Sequence, residues 1–460
     1  MNPNRRDFLS TTAAALFLDP QPPADLTLTI GNVEVAIAPK HTIQTTGYNG
    51  SFPGPVLRFP EGRSVTVDVV NDTASPELVH WHGLFIPSDV DGSSEEGTPM
   101  APAHGQRRYS FVPRPSGTRW YHSHVYAGRN LHRSGYSGQY GILIVEPREN
   151  PARYDQEIPL ALHGWRPYLS TKGAPGEGNE GSLEVQYGAY TVNSHALGAG
   201  EPIRVHAGER VLFRIVNASA TVVHRLALPG HQFVVVALDG NAVPNPAAVK
   251  VLELAPGERV DAVVEMNQPG IAILGDMNDE VRNLGLGVVV EYAGRTGAPQ
   301  WTAPSDEHWD YTRFGREDTG HAPEPDERIP LVFKQKWAGN RTVDHWTING
   351  KEYPKTAPIQ VRANGRYRLI FDNQSDDMHP VHLHRHSFEL VKVAGKATRG
   401  VMKDVVDVMA RTQVEVDLVA DNPGPSLFHC HMQLHMDFGF MTLLQYAGGP
   451  APPVMSHGHA

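Results

Sequence analysis

Among the 24 histidines, eight form four pairs that follow predicted strands, each with one residue between its two members. On a β-strand, residues i and i+2 point to the same face, so each pair presents two imidazoles to one side. If the pairs converge, bound metal would satisfy ring nitrogens that otherwise lack partners. Imidazole suits zinc, copper, iron and nickel, so the pairs alone leave the metal open. The pairs are His80 and His82, His122 and His124, His382 and His384, and His429 and His431.

The single cysteine of the chain, Cys430, lies between the two histidines of the last pair. Its sulfur therefore points to the opposite face of that strand, away from the paired imidazoles. Two unpaired histidines, His379 and His435, are near enough in sequence to join it there. One cysteine and two histidines form the trigonal site of a blue copper centre, which transfers electrons. The peptide bonds beside Cys430 would then connect this copper to the histidine cluster.

One strand pattern that could position these residues occurs three times. In each copy, apolar residues lie six, four and two positions ahead of an asparagine, an alternation typical of a half-buried strand. A glycine precedes each copy, as a turn requires. Copies at intervals of about 150 residues predict three β-sandwich domains. The copies end at Asn71, Asn217 and Asn373, and the preceding glycines are Gly62, Gly208 and Gly365.

The three copies differ in the histidines that follow them. Nine residues beyond Asn71 and Asn373 stand His80 and His382, whereas no such pair follows Asn217. We therefore expect the first and third domains to supply every paired histidine and the second to supply no ligand. The predicted limits are 25–148, 149–300 and 328–447 for the three domains, 301–327 for a connector and 448–460 for a tail. We expect the connector aromatics Trp309, Tyr311 and Phe314 to be exposed rather than to edge a pocket.

Four motifs together resemble those of three-domain multicopper oxidases of the laccase type. They are His-Trp-His-Gly at 80–83, Trp-Tyr-His-Ser-His at 120–124, His-Pro-Val-His-Leu-His at 379–384 and His-Cys-His-Met-Gln-Leu-His at 429–435. The resemblance extends from about residue 25 to residue 447. It implies an all-β chain of three cupredoxin-like Greek-key sandwich or barrel domains. It also implies an oxidase that takes electrons from a substrate singly and reduces O2 to water, with four copper ions.

The resemblance also implies a role for each ligand position. The type 1 copper would be held by Cys430, His379 and His435, and the type 2 copper by His80 and His382. One type 3 copper would be held by His82, His122 and His431, and the other by His124, His384 and His429. The family's axial position at type 1 falls on Phe440, with Met441 next. Phenylalanine has no donor atom, so we predict a three-coordinate, apolar type 1 site of raised potential.

Some histidines near or outside the motifs are interpreted as non-ligands. The family usually has glycine after His-Leu-His, but this chain has Arg385 and His386, which we expect to lie behind the ligands or at the surface. Five further histidines lack ligand spacing and are expected to be structural or surface groups. These are His163, His195, His231, His308 and His321.

The proton supply departs from the family's pattern. Many bacterial relatives carry an acid directly after the second type 1 histidine, where this chain has Met436 followed by Asp437. Fungal relatives carry an aspartate where this chain has Gln433. Asp91 stands where bacterial members place another acid, so we predict that it relays protons to the cluster. The alternative is an aspartate that caps the turn before Gly92.

The reducing substrate is left open by the sequence. The leading hypothesis is a small phenol or aromatic amine, and the alternative is Cu(I), as in a metal oxidase for copper tolerance. A non-catalytic copper-binding scaffold is disfavoured because all eleven ligand positions are filled. The residues that bear on Cu(I) are Met378, Met432, Met436, Met441, Asp376 and Asp377, although the methionines also suit core packing.

Composition and the N-terminus limit the remaining possibilities. The 460 residues carry a net charge of −10 and no basic block, so a nucleic-acid partner has no electrostatic basis. No apolar run approaches the roughly 20 residues of a membrane span. Arg5 and Arg6 precede Phe8-Leu9 and a short apolar stretch, which resembles a twin-arginine export signal over 1–24. We therefore expect a periplasmic or secreted protein, although no A-x-A cleavage site follows.

Overall fold

A computed structural model describes residues 22–149, 153–171, 182–316, 323–338 and 342–449. The predicted export signal therefore lies almost entirely outside the described residues, and so does most of the predicted tail. Within these ranges, no helix has the length and apolar character that crossing a membrane would require. The domain limits given above stay predictions, whereas the strands below show three all-β units in sequence.

Strands β1 to β8 form two packed sheets in the first domain. One sheet has the order β2-β1-β4-β6, and the other has the order β3-β8-β7-β5. Alternating apolar residues of both sheets fill the space between them, as expected of a β-sandwich. The elements are β1 (Leu26–Ala38), β2 (His41–Tyr48), β3 (Leu57–Pro60), β4 (Val65–Asn71), β5 (Val79–His80), α1 (Ser88–Asp91), β6 (Gly105–Phe111), β7 (Gly117–Ser123), a 3-10 helix (Ser134–Tyr136) and β8 (Tyr140–Glu146).

The second domain repeats this two-sheet arrangement with longer strands. Its sheets have the orders β10-β9-β12-β17-β14-β15 and β11-β19-β18-β13-β16. The elements are β9 (Gln156–Thr171), β10 (Leu183–Val192), β11 (Ile203–Val205), β12 (Arg210–Asn217), β13 (His224–Ala227), β14 (Phe233–Leu238), β15 (Asn241–Val249), β16 (Val251–Leu254), β17 (Arg259–Glu265), β18 (Ile271–Asp276), α2 (Asp279–Asn283) and β19 (Gly287–Tyr292).

The third domain is built in the same way and carries a short helix after its last histidine motif. Its sheets have the orders β21-β20-β23-β29-β25-β26, with β27 beside β25, and β22-β31-β30-β24-β28. The elements are β20 (Glu327–Lys336), β21 (His345–Ile348), β22 (Ile359–Val361), β23 (Arg366–Asn373), β24 (His379–Leu383), β25 (Phe388–Val393), β26 (Lys396–Ala397), β27 (Met402–Lys403), β28 (Val405–Val408), β29 (Gln413–Val419), β30 (Ser426–Cys430), α3 (Gln433–Asp437) and β31 (Met441–Tyr446).

The predicted strand repeat is confirmed by β4, β12 and β23, each of which runs parallel to the first strand of its domain. The closing asparagine of each copy is buried. Its side-chain amide donates to backbone carbonyls of the loops beside it and so ties the strand end to the segment that follows. The acceptors include Ser75 and Ala101 for Asn71, Val222 and Leu254 for Asn217, and Asp377 and Val408 for Asn373, at 2.8 to 3.2 Å.

The prediction of exposed aromatics in the connector is wrong. Trp309, Tyr311 and Phe314 are 8%, 5% and 0% exposed and belong to the core shared by the second and third domains. A 3-10 helix over Tyr311–Phe314 turns them inward, and the Tyr311 hydroxyl donates to a Glu258 carboxylate oxygen at 2.6 Å. The physical reason is that two adjoining domains leave apolar surface, which this segment covers.

Candidate metal centre

Two pairs of neighbouring strands bring the histidine pairs together. In the first domain, His80 of β5 lies opposite His122 of β7. In the third domain, His382 of β24 lies opposite His429 of β30. The second member of each pair follows on the same face. The rings meet across the domain boundary, with His80 stacked on His384 at a centroid distance of 3.9 Å. The eight paired histidines therefore form one cluster between the first and third domains.

Backbone carbonyls determine which nitrogen faces the cluster in four of the eight rings, those of His80, His122, His382 and His429. Nδ1 of His80 lies 3.0 Å from the Asp91 carbonyl oxygen, and Nδ1 of His382 lies 2.7 Å from that of Asp404. The same contact, at 2.9 Å, joins Nδ1 of His429 to the Cys430 carbonyl oxygen. A nitrogen that donates its hydrogen outward leaves the other nitrogen as a lone-pair donor, so Nε2 of these rings faces inward.

His82 is oriented in the opposite sense from these rings. Its Nε2 lies 3.1 Å from a carboxylate oxygen of Asp404, and its Nδ1 faces His122 Nε2 at 3.4 Å. A carboxylate from the third domain thus orients a histidine of the first domain. Asp404 has no signal in the sequence, because no spacing rule relates residues 82 and 404.

The nitrogens at the centre of the cluster fit bound metal ions. Nε2 of His80, Nε2 of His382 and both nitrogens of His431 are buried and have no hydrogen-bond partner among the described residues. Nε2 of His429 lies 3.1 Å from that of His384 and 3.4 Å from that of His124. Buried lone pairs at these distances need cations between them. The donor set is wholly imidazole, which suits copper.

Burial keeps most of these rings in the neutral form that binds a metal. It lowers the pKa values of His82, His122 and His429 well below the ordinary value, and it lowers the pKa of His431 to about 3. His384 differs: although burial opposes protonation, the carboxylates of Glu96 and Asp91 raise its pKa to about 9. A metal ion bound to the His384 ring would replace the proton whose binding these carboxylates favour.

Two buried carboxylates of the first domain lie beside His384. Asp91 Oδ2 is 2.9 Å from His384 Nδ1 and 3.1 Å from His80 Nδ1, while Glu96 Oε1 is 3.3 Å from His384 Nδ1. Burial and the Asp91 charge raise the pKa of Glu96 to about 8. Glu96 is not among the predicted site residues, and its one signal in the sequence is its place five residues after Asp91. The Asp91 carboxylate contacts histidines of both domains. The turn after α1 is ended by Gly92, which has a left-handed backbone conformation.

Cys430, His379 and His435 form a second site on the other face of β30. Cys430 Sγ lies 3.6 Å from Nδ1 of each histidine, and the two Nδ1 atoms are 3.1 Å apart. The Ser375 hydroxyl, 2.8 Å from His379 Nε2, fixes that ring. Burial raises the pKa of the Cys430 thiol, so the thiolate requires a cation beside it. This trigonal sulfur and nitrogen set fits copper.

The residue that the family pattern assigns to the axial position of this second site, Phe440, is apolar. The fully buried Phe440 ring has its centroid 4.7 Å from that of His379. Met441 packs in a separate cluster with Leu427, Met436 and Leu443. Phe440 shares the core cluster of Cys430, whereas Met441 does not. This placement supports the prediction of a site without an axial donor.

A cleft of about 260 Å³ opens beside His435. His435 is 8% exposed, whereas Cys430 and His379 are fully buried, so His435 is the member of this site that reaches the cleft. The Trp346 ring stacks on His435 at 3.9 Å and forms one wall. Further lining residues are Met378, Met409, Met432, Asp376 and Asp377.

Arg385 and His386 are both buried, which excludes the surface alternative for them. Arg385 adopts a left-handed φ of 63°, the conformation that favours glycine. Its guanidinium donates at 2.8 Å to the carbonyl oxygens of Ile86 in the first domain and of Pro425 before β30. His386 Nε2 lies 2.9 Å from the Tyr446 hydroxyl.

Of the five histidines that lack ligand spacing, the four that the structure describes make their contacts outside both sites. His163 and His231 are buried against carbonyl oxygens at 2.8 and 3.0 Å, and His195 and His308 are exposed. His321 lies outside the described residues. Asp437, the acid that follows Met436, accepts backbone N–H groups of Ala127 and Gly128 at 3.1 and 2.8 Å and so joins α3 to the first domain.

Comparison with known proteins agrees with this geometry. Three profiles described as multicopper oxidase match residues 29–150, 172–272 and 324–448. Multicopper oxidase MmcO of Mycobacterium tuberculosis is 31% identical over 441 residues, covering 88% of this chain and 83% of that protein. Laccase-3 of Thanatephorus cucumeris is 24% identical, covering 87% of this chain and 88% of that protein.

Solved structures share the fold over nearly the whole chain. A multi-copper oxidase from Pseudomonas thermotolerans has a TM-score of 0.69 and 26% identity, covering 92% of this chain and 100% of its own. A Campylobacter jejuni multicopper oxidase, described as a metallo-oxidase, has a TM-score of 0.69 and 22% identity, covering 91% of this chain and 90% of its own. With its three cupredoxin-like domains and its two convergent donor sites, this chain belongs to the multicopper oxidase family, whose members are copper-dependent oxidoreductases that use O2 and a reducing substrate.

Proposed function

We propose that this protein is a laccase-like oxidase with four copper ions. The observation that carries the proposal is the arrangement on β30, where Cys430 belongs to one donor site and its neighbours His429 and His431 belong to the other. The copper ions, when bound, would take electrons singly from a reductant and pass four to O2. Peptide bonds on both sides of Cys430 join the two sites covalently.

The ligand roles follow the geometry together with the family pattern. The unpartnered Nε2 atoms of His80 and His382 support their role at the type 2 copper. The facing Nε2 atoms of His124, His384 and His429 support a type 3 site, and the remaining rings, His82, His122 and His431, would complete the other. Cys430, His379 and His435 would hold the type 1 copper. This division accounts for all eleven predicted ligands.

Asp91 is proposed to supply protons to the cluster. Its carboxylate lies between His80 and His384 and keeps one oxygen, Oδ1, without a hydrogen-bond partner in the described structure. Reduction of O2 to water consumes protons, and a positioned carboxylate close to the reacting atoms is the usual means of delivering them. Met436, buried among apolar side chains, cannot serve as the second acid seen in bacterial relatives.

The proposed reductant is a small phenol or aromatic amine. The cleft beside His435 has an aromatic wall in Trp346 and an apolar floor that includes Leu434. A planar ring placed there would lie against the exposed edge of His435. The acids of the cleft would favour amines and hydroxyl donors over anionic substrates.

Cu(I) is a second candidate because three thioethers line the same cleft. Met378, Met409 and Met432 are soft donors suited to Cu(I), and Met409 is 42% exposed. Asp376 and Asp377 also line this cleft, and Asp376 is paired with Arg411 at 2.7 Å. Met436 and Met441 lie in the interior and do not contribute.

One experiment separates the two reductants. Oxygen uptake by the copper-loaded protein is measured with a phenol and with Cu(I), for the wild type, Met409→Leu and Met402→Leu. Met402, which lies outside the cleft, is the control. If Cu(I) is the substrate, M409L slows Cu(I) oxidation several-fold and leaves phenol oxidation unchanged. A wild type that consumes oxygen with neither reductant contradicts the proposed oxidase function.

We also propose export of the folded protein to the periplasm or beyond through Arg5 and Arg6. Replacement of both by lysine is expected to leave the protein inside the cell, as judged by fractionation. An unchanged distribution between fractions would contradict the export signal.

A further inference from the structure

We infer that the second domain, which supplies none of the predicted ligands, positions two of them through an Arg259–Asp404 pair. Asp404, at the junction of β27 and β28, contacts His82 of the first domain and His382 of the third. Arg259, at the start of β17 in the second domain, holds the Asp404 carboxylate. This inference rests on the proposed copper assignment and extends it to residues outside every copper motif.

Asp404 contacts the two histidines with different atoms. Its carboxylate oxygen Oδ1 lies 3.1 Å from His82 Nε2, and its backbone carbonyl oxygen accepts from His382 Nδ1 at 2.7 Å. The two rings stack at a centroid distance of 3.8 Å and an angle of 10°. Asp404 therefore fixes the plane of the His82 ring. It also determines which nitrogen of His82 and which nitrogen of His382 faces the cluster.

Arg259 holds both oxygens of the Asp404 carboxylate. Its NH1 and NH2 groups donate to the two oxygens of Asp404 at 2.5 and 2.6 Å, and all of these atoms are buried. Both carboxylate oxygens are thus engaged, which leaves Asp404 suited to orienting histidines rather than to binding a metal itself. A bidentate guanidinium–carboxylate pair holds its partner's plane as well as its position.

The second domain anchors this pair firmly. Arg259 also donates to the Thr118 carbonyl oxygen of the first domain at 3.3 Å and to the Asp239 carbonyl oxygen at 3.0 Å. The Asp239 carboxylate accepts the backbone N–H of Asp404 at 3.2 Å and lies 3.0 Å from Lys403 Nζ. Residues of all three domains therefore meet behind His82 and His382. A shift of the second domain would be transmitted to these two rings.

The chain contains a matched control pair. Arg368 and Asp417, in neighbouring strands of the third domain, form a bidentate contact at 2.7 and 3.0 Å, and the Asp417 side chain is fully buried. Neither residue is in contact with a predicted ligand. Breaking this pair costs stability alone, whereas breaking the Arg259–Asp404 pair should also change the metal site.

The test compares Arg259→Lys, Arg259→Gln, Asp404→Asn and Asp417→Asn in the full-length protein. Copper is titrated into each metal-free protein, and copper content, the blue type 1 absorption and the type 2 EPR signal are recorded. We expect the Arg259 and Asp404 variants to lose about 10- to 100-fold in copper affinity at the trinuclear cluster, as for other lost outer contacts of metal ligands. Their type 2 EPR signal should change and their blue absorption should remain. Asp417→Asn should lower only the melting temperature.

Three results would overturn the inference. The first is Arg259→Lys with wild-type copper affinity and an unchanged type 2 signal. The second is an equal change of that signal in Asp417→Asn. The third is that Arg259→Lys and Arg259→Gln do not fold, whereas Asp404→Asn folds and keeps the wild-type copper affinity and type 2 signal. A wild type that binds no copper would instead contradict the proposed function, so the two failures are distinguishable.

Discussion

Cys430 Sγ lies 3.6 Å from Nδ1 of His435, and His435 is the member of its donor site that reaches the cleft. The same cysteine is bonded through the backbone to His429 and His431, which face the imidazole cluster. A single residue thus stands between the surface where a reductant is proposed to bind and the buried site where O2 is proposed to react. The predictions below test the parts of this arrangement.

Cys430→Ser should abolish the blue colour of the copper-loaded protein. The colour arises from charge transfer between thiolate and copper, and a serine hydroxyl at a fully buried position cannot replace it. Absorption spectra and circular dichroism report the colour and the fold separately. A folded variant that stays blue would show that the type 1 assignment is wrong.

His382→Ala should stop O2 reduction and leave the type 1 site reducible. The change removes one of the two inward Nε2 atoms assigned to the type 2 copper. Anaerobic bleaching of the blue colour by a phenol measures the first half of the reaction, and oxygen uptake measures the second. Oxygen turnover at the wild-type rate in a fully metallated variant would contradict the trinuclear assignment. His163→Ala, which removes a buried histidine outside both sites, is the control.

Phe440→Met should lower the type 1 reduction potential. The Phe440 ring packs 4.7 Å from His379 and offers no donor, so a thioether there would stabilise Cu(II). Redox titration of the blue absorption measures the change. Met441→Leu, in the separate cluster, should leave the potential unchanged. The opposite pattern would mean that Met441 is the axial residue.

Asp91→Asn should slow O2 reduction by about 100-fold while copper content stays near four per chain. The amide keeps the size of the side chain but cannot carry a proton between solvent and cluster. Stopped-flow reoxidation of the reduced protein isolates this step from substrate oxidation. If the role of Asp91 were only to hold its turn, the variant would lose stability and reoxidise at the wild-type rate.

Arg385→Gly should destabilise the protein by about 2–4 kcal/mol, even though glycine relieves the left-handed backbone. The guanidinium donates to the carbonyl oxygens of Ile86 and Pro425, and glycine removes both of these hydrogen bonds. Chemical denaturation gives the free energy of unfolding. Arg328→Ala, which breaks an exposed ion pair with Glu324, should cost less than about 1 kcal/mol. A more stable R385G would show that the strain outweighs the hydrogen bonds.

The fold class and the donor residues were accessible from sequence because both depend on short-range periodicity. Alternation within a strand assigns a face to each residue, and this places His429 and His431 on one side of β30 and Cys430 on the other. The repeat ending at Asn71, Asn217 and Asn373 reports the same strand in three domains. Spacing of this kind follows from backbone geometry and does not depend on what lies across the domain boundary.

Only the tertiary structure decided which groups surround the donors. Asp404 carries no spacing signal, Glu96 has only its place five residues after Asp91, and the Arg259–Asp404 contact joins residues 145 positions apart. The connector aromatics lie in a segment of polar composition, and their burial depends on the surfaces of two domains that meet there. Sequence periodicity determined which side chains share a face, whereas domain packing determined the partners behind them, because burial and charge pairing depend on neighbours that are distant along the chain.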